Sequence, residues 1–113
     1  MVDTTVIKAV KYFEQSLREK GLNISRLIIF GSSSTGSATT GSDIDLAVIS
    51  DDFKDKDLIT RVLLTKDAEL NTIRKFKVPL DIITLTPEEF DAVDSVLLKN
   101  IRKGITVSSA SMA

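Results

Sequence analysis

In residues 31–50, GSSSTGSATTGSDIDLAVIS, a loop of small residues leads directly into an apolar strand with two aspartates. Residues 31–42 are all glycine, serine, threonine or alanine. Side chains alternate along a strand, so Ile44, Leu46 and Val48 share one face, and Asp43 and Asp45 project from the other. The stretch therefore predicts a strand with one buried face and paired carboxylates on the opposite face.

Working outward from this stretch, the apolar pattern predicts alternating helices and strands. The predicted elements are a helix over 4–20, strands over 24–30 and 43–50, a helix over 57–76, a strand over 79–85, a helix from Thr86 to Lys103 and a short edge strand over 105–107. The first two strands are close in sequence and are expected to be neighbours, and the third joins them after the long helix. The predicted fold class is α/β (α+β), a small mixed β-sheet with helices covering one face.

The spacing of apolar residues also predicts which helix positions are buried. The candidates are Val6, Val10, Phe13 and Leu17 in the first helix and Leu58, Val62, Ala68 and Ile73 in the second. A chain of 113 residues has room for one core. We therefore expect a single domain over residues 1–107, followed by a disordered tail at 108–113.

The composition excludes several classes of site. The chain has no cysteine and no histidine, which removes disulfides, cysteine-based metal sites and every nucleophile activated by histidine. Any catalysis must then rest on carboxylates, hydroxyls, lysines, the single tyrosine or a hard metal ion. The net charge of −1 argues against bulk attraction to nucleic acid, so nucleic acid is a possible but unsupported partner. No apolar run is long enough to span a membrane, and a cytoplasmic location is expected.

A third acid has the same alternation as the first two. Asp81 lies in the predicted third strand between Leu80 and Ile82, which are expected to face the core. If the strands are adjacent, Asp43, Asp45 and Asp81 share one face. Carboxylates of this kind suit magnesium, and two of them can flank a pair of ions. The alternative for each acid is a solvated carboxylate on an exposed strand face.

The small-residue loop adds a second feature. Gly31 follows an apolar strand directly, and glycine lets the main chain approach a ligand closely. Ser32, Ser33 and Ser34 supply N–H groups and hydroxyls suited to phosphate. The alternative is a flexible linker. A linker should join two pieces that fold, and the thirty residues before Gly31 are too few to fold alone.

Together, LIIFGS, SDIDLAV and LDIITL resemble the DNA polymerase β-like nucleotidyltransferases, specifically the minimal nucleotidyltransferase (MNT) domains of bacteria and archaea. The similarity runs from about Ile24 to Leu85. The resemblance implies the polymerase β-like nucleotidyltransferase fold and transfer of a nucleoside monophosphate, AMP being the first candidate, from a nucleoside triphosphate to a hydroxyl. The sequence departs from many members of the family where Ser33, Ser34 and Thr35 stand in place of an arginine or another large residue.

The resemblance also implies roles for individual residues. Asp43 and Asp45 would bind two magnesium ions, and Asp81 would bind the catalytic ion and accept the proton. Gly31 and Ser32, with Ser33 and Ser42 beside them in the loop, are the candidate nucleotide-binding residues, with ATP as the expected nucleotide.

Three functions stay open at this point. The first is a magnesium-dependent enzyme, and the second is a non-catalytic binding module of the same fold that acts as an antitoxin or assembly subunit. The third is a structural domain with an acidic patch. The resemblance implies a helical HEPN-type partner, and self-association is the alternative, because so short a chain supplies one wall of a site. A basic set could guide an acidic partner, with a solvated helix face as the alternative: Arg61, Lys66, Arg74, Lys75 and Lys77.

Overall fold

A computed structural model describes residues 4–31, 43–92 and 95–109 of the chain. In chain order the elements are α1 (Thr4–Glu19), β1 (Arg26–Phe30), β2 (Ile44–Ile49), one 3-10 turn (Asp51–Phe53), α2 (Leu58–Phe76), β3 (Leu80–Leu85), α3 (Pro87–Ala92), α4 (Val96–Arg102) and β4 (Ile105–Ser109). The predicted order of helices and strands is confirmed, with one exception near the C-terminus.

The strands form one mixed sheet in the order β3-β2-β1-β4. β1 pairs antiparallel with β2 and with β4, whereas β2 and β3 are parallel and are connected through α2. The mixed sheet and the C-terminal edge strand are therefore confirmed. β4 includes the first two residues of the tail predicted at 108–113, because Ser108 and Ser109 pair with Leu27 and Arg26 of β1. A single domain over 1–107 stays a prediction.

Both faces of the sheet are apolar, and helices pack on both. α1 and α2 cover one face, where Phe13 and Leu17 of α1 are fully buried against the sheet, as the sequence predicted. On the other face, Phe90 of α3 and Leu98 and Ile101 of α4 pack in one cluster with residues of β1 and β2. The prediction that the helices cover one face is therefore wrong for α3 and α4. The reason is that both alternating sets of side chains in β1 and β2 include apolar residues that need cover.

The buried side of α2 differs from the predicted one. Leu58 and Val62 were expected in the core but are 71% and 47% exposed, whereas Ala68 is buried as predicted and Ile73 is partly buried. The buried residues of α2 are instead Thr65, Ala68 and Thr72. Threonine is accepted there because its hydroxyl donates to the helix backbone, at 3.2 Å from Thr65 Oγ1 to the carbonyl of Val62.

The single helix predicted from Thr86 to Lys103 is wrong, because two helices occupy this range. Thr86 begins the first as expected, and its Oγ1 accepts from the N–H of Glu89 at 3.0 Å. Ser95 is extended, and its Oγ accepts from the N–H of Leu98 at 3.1 Å, which begins a second helix. Residues 93–94 lie outside the described part of the chain. Of the helices described, none combines the length and hydropathy that crossing a membrane requires.

Candidate functional site

Two of the three predicted acids stand side by side at one end of the sheet. Phe30, at the end of β1, pairs with Asp45 of β2, and Asp45 pairs with Asp81 of β3. Because alternate residues share a face, both carboxylates project from the face on which Ala47 and Ile83 contact α3 and α4. Adjacent strands are about 4.8 Å apart, so the two carboxyl groups are first neighbours.

The charge of Asp43 also acts on Asp45. Burial raises the pKa of Asp45, and further increases come from the charge of Asp81, a side-chain hydrogen bond with Asp81 and the charge of Asp43. The neighbouring carboxylates thus add to the effect of burial on the pKa of Asp45. The structure therefore brings Asp43, Asp45 and Asp81 into one electrostatic group, which we call the acidic row.

Gly31, directly after β1, lies next to Asp45 at one end of the acidic row. Its φ angle is +70°, in the left-handed region that favours glycine. A Cβ atom added at Gly31 would overlap Oδ2 of Asp45. The backbone of Gly31 therefore lies so close to the carboxylate of Asp45 that no residue with a Cβ atom fits there without a shift. The predicted phosphate contacts of Ser32, Ser33 and Ser42 lie outside the described residues.

The donor set of the acidic row suits a hard cation. In residues 4–31, 43–92 and 95–109, no three acidic side chains are already arranged around a common metal position. The chemistry nevertheless fits, because oxygen ligands are those that magnesium prefers, and a cation would offset both the burial of Asp45 and the neighbouring negative charges, which together raise its pKa. Asp43, Asp45 and Asp81 are the residues that would hold it, and the number of ions stays a prediction.

A fourth acid, which the sequence did not indicate, lies beside the row. Burial raises the pKa of Glu69 in α2, and the charge of Asp81 raises it further. Glu69 and Asp81 both line a groove of about 300 Å³ between α2 and β3. Glu69 continues the stripe of Leu58 and Val62, one helical turn after Thr65. The sequence does not indicate it because the stripe predicted for α2 consists of apolar residues alone.

The basic set predicted to guide a partner is partly engaged within the molecule. Arg61 donates to Glu89 at 2.7 Å and also bonds the carbonyls of Lys56 and Thr84. The ammonium of Lys75 lies 5.1 Å from the centre of the Tyr12 ring. These interactions engage Arg61 and Lys75 within the molecule, which differs both from guiding a partner and from the alternative of a solvated helix face.

Solved structures with the same fold include nucleotidyltransferases and toxin–antitoxin proteins. A Sulfolobus solfataricus protein provisionally described as a nucleotidyltransferase is 18% identical, with a TM-score of 0.62 over 94% of this chain and 82% of its own. A toxin–antitoxin protein solved with AMP-PNP is 19% identical, with a TM-score of 0.60 over 88% of this chain and 73% of its own. A third match comes from the complex of a tri-AMPylated Shewanella oneidensis HEPN toxin with its MNT antitoxin. It is 18% identical, with a TM-score of 0.58 over 93% of this chain and 73% of the matched chain.

At these identities the structural matches show the fold alone, and no curated protein matches the sequence. The family is shown by the sequence model of the nucleotidyltransferase domain, which matches residues 10–104 and therefore most of the chain. That range includes β1, β2 and β3, and with them the whole acidic row. The chain therefore belongs to the nucleotidyltransferase domain family.

Proposed function

We propose that this protein transfers a nucleoside monophosphate, with AMP as the first candidate, from a nucleoside triphosphate to an acceptor hydroxyl. The observation that carries the proposal is the register of the sheet, which pairs Asp45 with Asp81 on adjacent strands. Gly31 lies against Asp45, and Asp43 contributes to its electrostatic field. Membership of the nucleotidyltransferase domain family supports the reaction class.

The chemistry assigns a separate task to Asp81. In the proposed transfer, the acceptor oxygen bonds to the α-phosphorus while the bond from that phosphorus to the bridging oxygen breaks. Pyrophosphate leaves, and the hydroxyl proton passes to a carboxylate oxygen of Asp81. Asp81 is an exposed residue on the edge strand, so an acceptor can reach it from outside the sheet.

Asp43 and Asp45 would hold the divalent cation, together with Asp81. When bound, magnesium offsets charge on the triphosphate and lowers the pKa of the acceptor hydroxyl. Asp45 is the most enclosed of the three acids, since Gly31 and Asp81 flank it on the two neighbouring strands.

A protein partner fits the open end of the sheet. The acidic row lies at the end of a face on which α3 and α4 cover the more distant apolar residues. Much of transfer catalysis comes from positioning the acceptor, and the described residues provide one wall for it. Structures of the same fold include a toxin–antitoxin protein with AMP-PNP and an MNT antitoxin with an AMPylated HEPN toxin. On that basis we infer that a helical HEPN-type protein is the partner and acceptor, and that turnover by this chain alone is slow.

The position of a radioactive phosphorus atom tests the reaction class. The protein is incubated with magnesium and ATP labelled at the α or the γ position, with and without cell extract. The proposal predicts that a protein acceptor retains the α label and not the γ label. Asp45→Asn and Asp81→Asn should abolish labelling, whereas Asp91→Asn, at an exposed acid of α3, should not. Retention of the γ label would overturn the proposal, and absence of any label would favour the non-catalytic binding module.

A further inference from the structure

A groove runs along the outer edge of β3, next to the acidic row. One wall is a stripe of α2 that includes Leu58, Val62 and Glu69, and the other is β3 over residues 80–84. Its volume is about 300 Å³. We call it the edge groove. It is apolar at the Leu58 end and acidic where Glu69 approaches Asp81.

The backbone of β3 is open toward this groove. β3 ends the sheet and has one neighbour, β2. The carbonyls of Pro79 and Leu85 accept from the N–H groups of Ile44 in β2 and of Ser50 directly after β2, at 2.9 Å each, so the backbone groups of the odd-numbered residues of β3 face β2. The even-numbered residues therefore direct their N–H and C=O groups outward. Within the described residues, the group that bonds to this edge is Arg61, at the carbonyl of Thr84.

The wall provided by α2 is apolar although it lies at the surface. Leu58 and Val62 are 71% and 47% exposed. Exposed apolar residues grouped beside an open strand edge are typical of a surface that binds another chain. Backbone donors and acceptors at a two-residue spacing match an extended polypeptide.

We propose that the edge groove binds the acceptor as an extended segment of polypeptide that adds to β3 as a further strand. This inference rests on the proposed function, which takes a protein as the acceptor, and it adds where and in what conformation the acceptor segment binds. Side chains of an added strand alternate between the two faces of the sheet. One set then faces α2, and the other faces the side of the sheet from which Asp45 and Asp81 project.

This alternation specifies the chemistry of the segment. A tyrosine, serine or threonine opposite Asp81 places its hydroxyl on the side of the acidic row. Alternate residues of the segment project toward α2, and those nearer the Leu58 end of the groove should be apolar. A lysine or arginine near Glu69 and Asp81 complements the acidic end of the groove. An acidic and apolar wall is unsuited to nucleic acid, whose backbone requires cationic contacts.

Two pools of short synthetic peptides test the proposal. Each peptide has a central tyrosine, serine or threonine flanked by leucine or valine, with a lysine or arginine in the first pool and a glutamate in the second. Binding to the full chain is measured by fluorescence anisotropy, and amide exchange in β3 is measured by NMR. The first pool should bind more tightly and should slow exchange at Leu80, Ile82 and Thr84.

Matched variants place the peptides in the edge groove. Val62→Asp should weaken binding of the first pool about tenfold or more, because it puts an unpaired charge on the apolar wall. Leu63→Asp makes the same change on the same helix outside the groove and should alter binding by about twofold or less. Glu69→Gln should remove the preference for the basic pool.

The outcomes separate this inference from the proposed function. Equal binding by the Val62→Asp and Leu63→Asp variants, or no binding of either pool, would overturn the edge groove as the acceptor site. So would tighter binding of an RNA pool, or dissociation of a dimer by Val62→Asp in sedimentation equilibrium. Binding in the groove without transfer of α-labelled phosphate would overturn the proposed reaction and leave the docking surface standing. Transfer that Val62→Asp does not reduce would leave the reaction standing and overturn the docking surface.

Discussion

Gly31→Ala tests the contact between the loop and the acidic row. The φ angle of +70° costs a residue with a Cβ about 1–2 kcal/mol. The new methyl group would also overlap Oδ2 of Asp45, and overpacking of this kind costs about 1–3 kcal/mol. We therefore expect the variant to lose about 2–5 kcal/mol of its free energy of unfolding.

Gly21→Ala is the matched control. Gly21 has a φ angle of +89°, but nothing lies within 4 Å of an added Cβ. This variant should lose about 1–2 kcal/mol, from backbone strain alone. The difference between the two variants therefore measures the overlap with Asp45. At about 3–6 °C per kcal/mol for a domain of this size, the difference is visible in melting temperature.

Urea unfolding followed by far-ultraviolet circular dichroism is the assay, because the chain contains no tryptophan. Asp45→Ala in the Gly31→Ala background should recover about 1 kcal/mol or more, since it removes the atom that the methyl group meets. Equal losses in the Gly31→Ala and Gly21→Ala variants would refute the close approach of Gly31 to Asp45. So would the absence of coupling in the double variant.

Three further changes test other parts of the structure. Lys77 ends α2 with a φ angle of 58°, so Lys77→Gly should be about 0.5–1 kcal/mol more stable than the wild type in urea unfolding. A loss of stability would contradict the left-handed cap. Ile101→Ala should cost about 2–5 kcal/mol because Ile101 is fully buried between α4 and the sheet, whereas Ile105→Ala, at 39% exposure, should cost less than about 1 kcal/mol. Equal costs would contradict the cover on the second face. The hydrogen bond from Arg61 holds the pKa of Glu89 below its ordinary value of 4.5. The bond therefore stabilises the folded protein above pH 4.5, and this stabilisation is lost as the pH falls through the lower pKa of the folded state. Glu89→Gln should therefore be less stable than the wild type near neutral pH, by at most about 1 kcal/mol, and the difference should vanish in acid; a difference independent of pH would contradict the ion pair.

The strands and the relation between the acids were predictable because a strand has a period of two. That period places Asp45 on the face opposite Leu46, and it gives Asp81 the same orientation relative to Ile82. The sequence alone does not predict the parallel register of β2 and β3. It depends on how α2 returns the chain to the sheet, which is a property of tertiary packing.

The errors arose where tertiary contacts override local pattern. Leu58 and Val62 have the spacing of a buried stripe, but α2 turns Thr65 and Ala68 inward and leaves the two aliphatic residues on the edge groove. The break before α4 was missed because Ser95, a modest signal in sequence, acts as an N-cap. The roles of the serines after Gly31 lie outside the described residues and stay a prediction.

The proposed function requires that the nucleotide bind at the acidic row together with its divalent cation. Titration calorimetry with ATP in the presence and absence of magnesium tests this requirement most directly, on the wild type and on Asp45→Asn. We expect weak binding by the wild type that requires magnesium and is lost in the variant, whereas the control Asp91→Asn should bind as the wild type does. Magnesium-dependent binding of equal affinity by Asp45→Asn would contradict this requirement, because the nucleotide and its cation would then bind elsewhere on the protein.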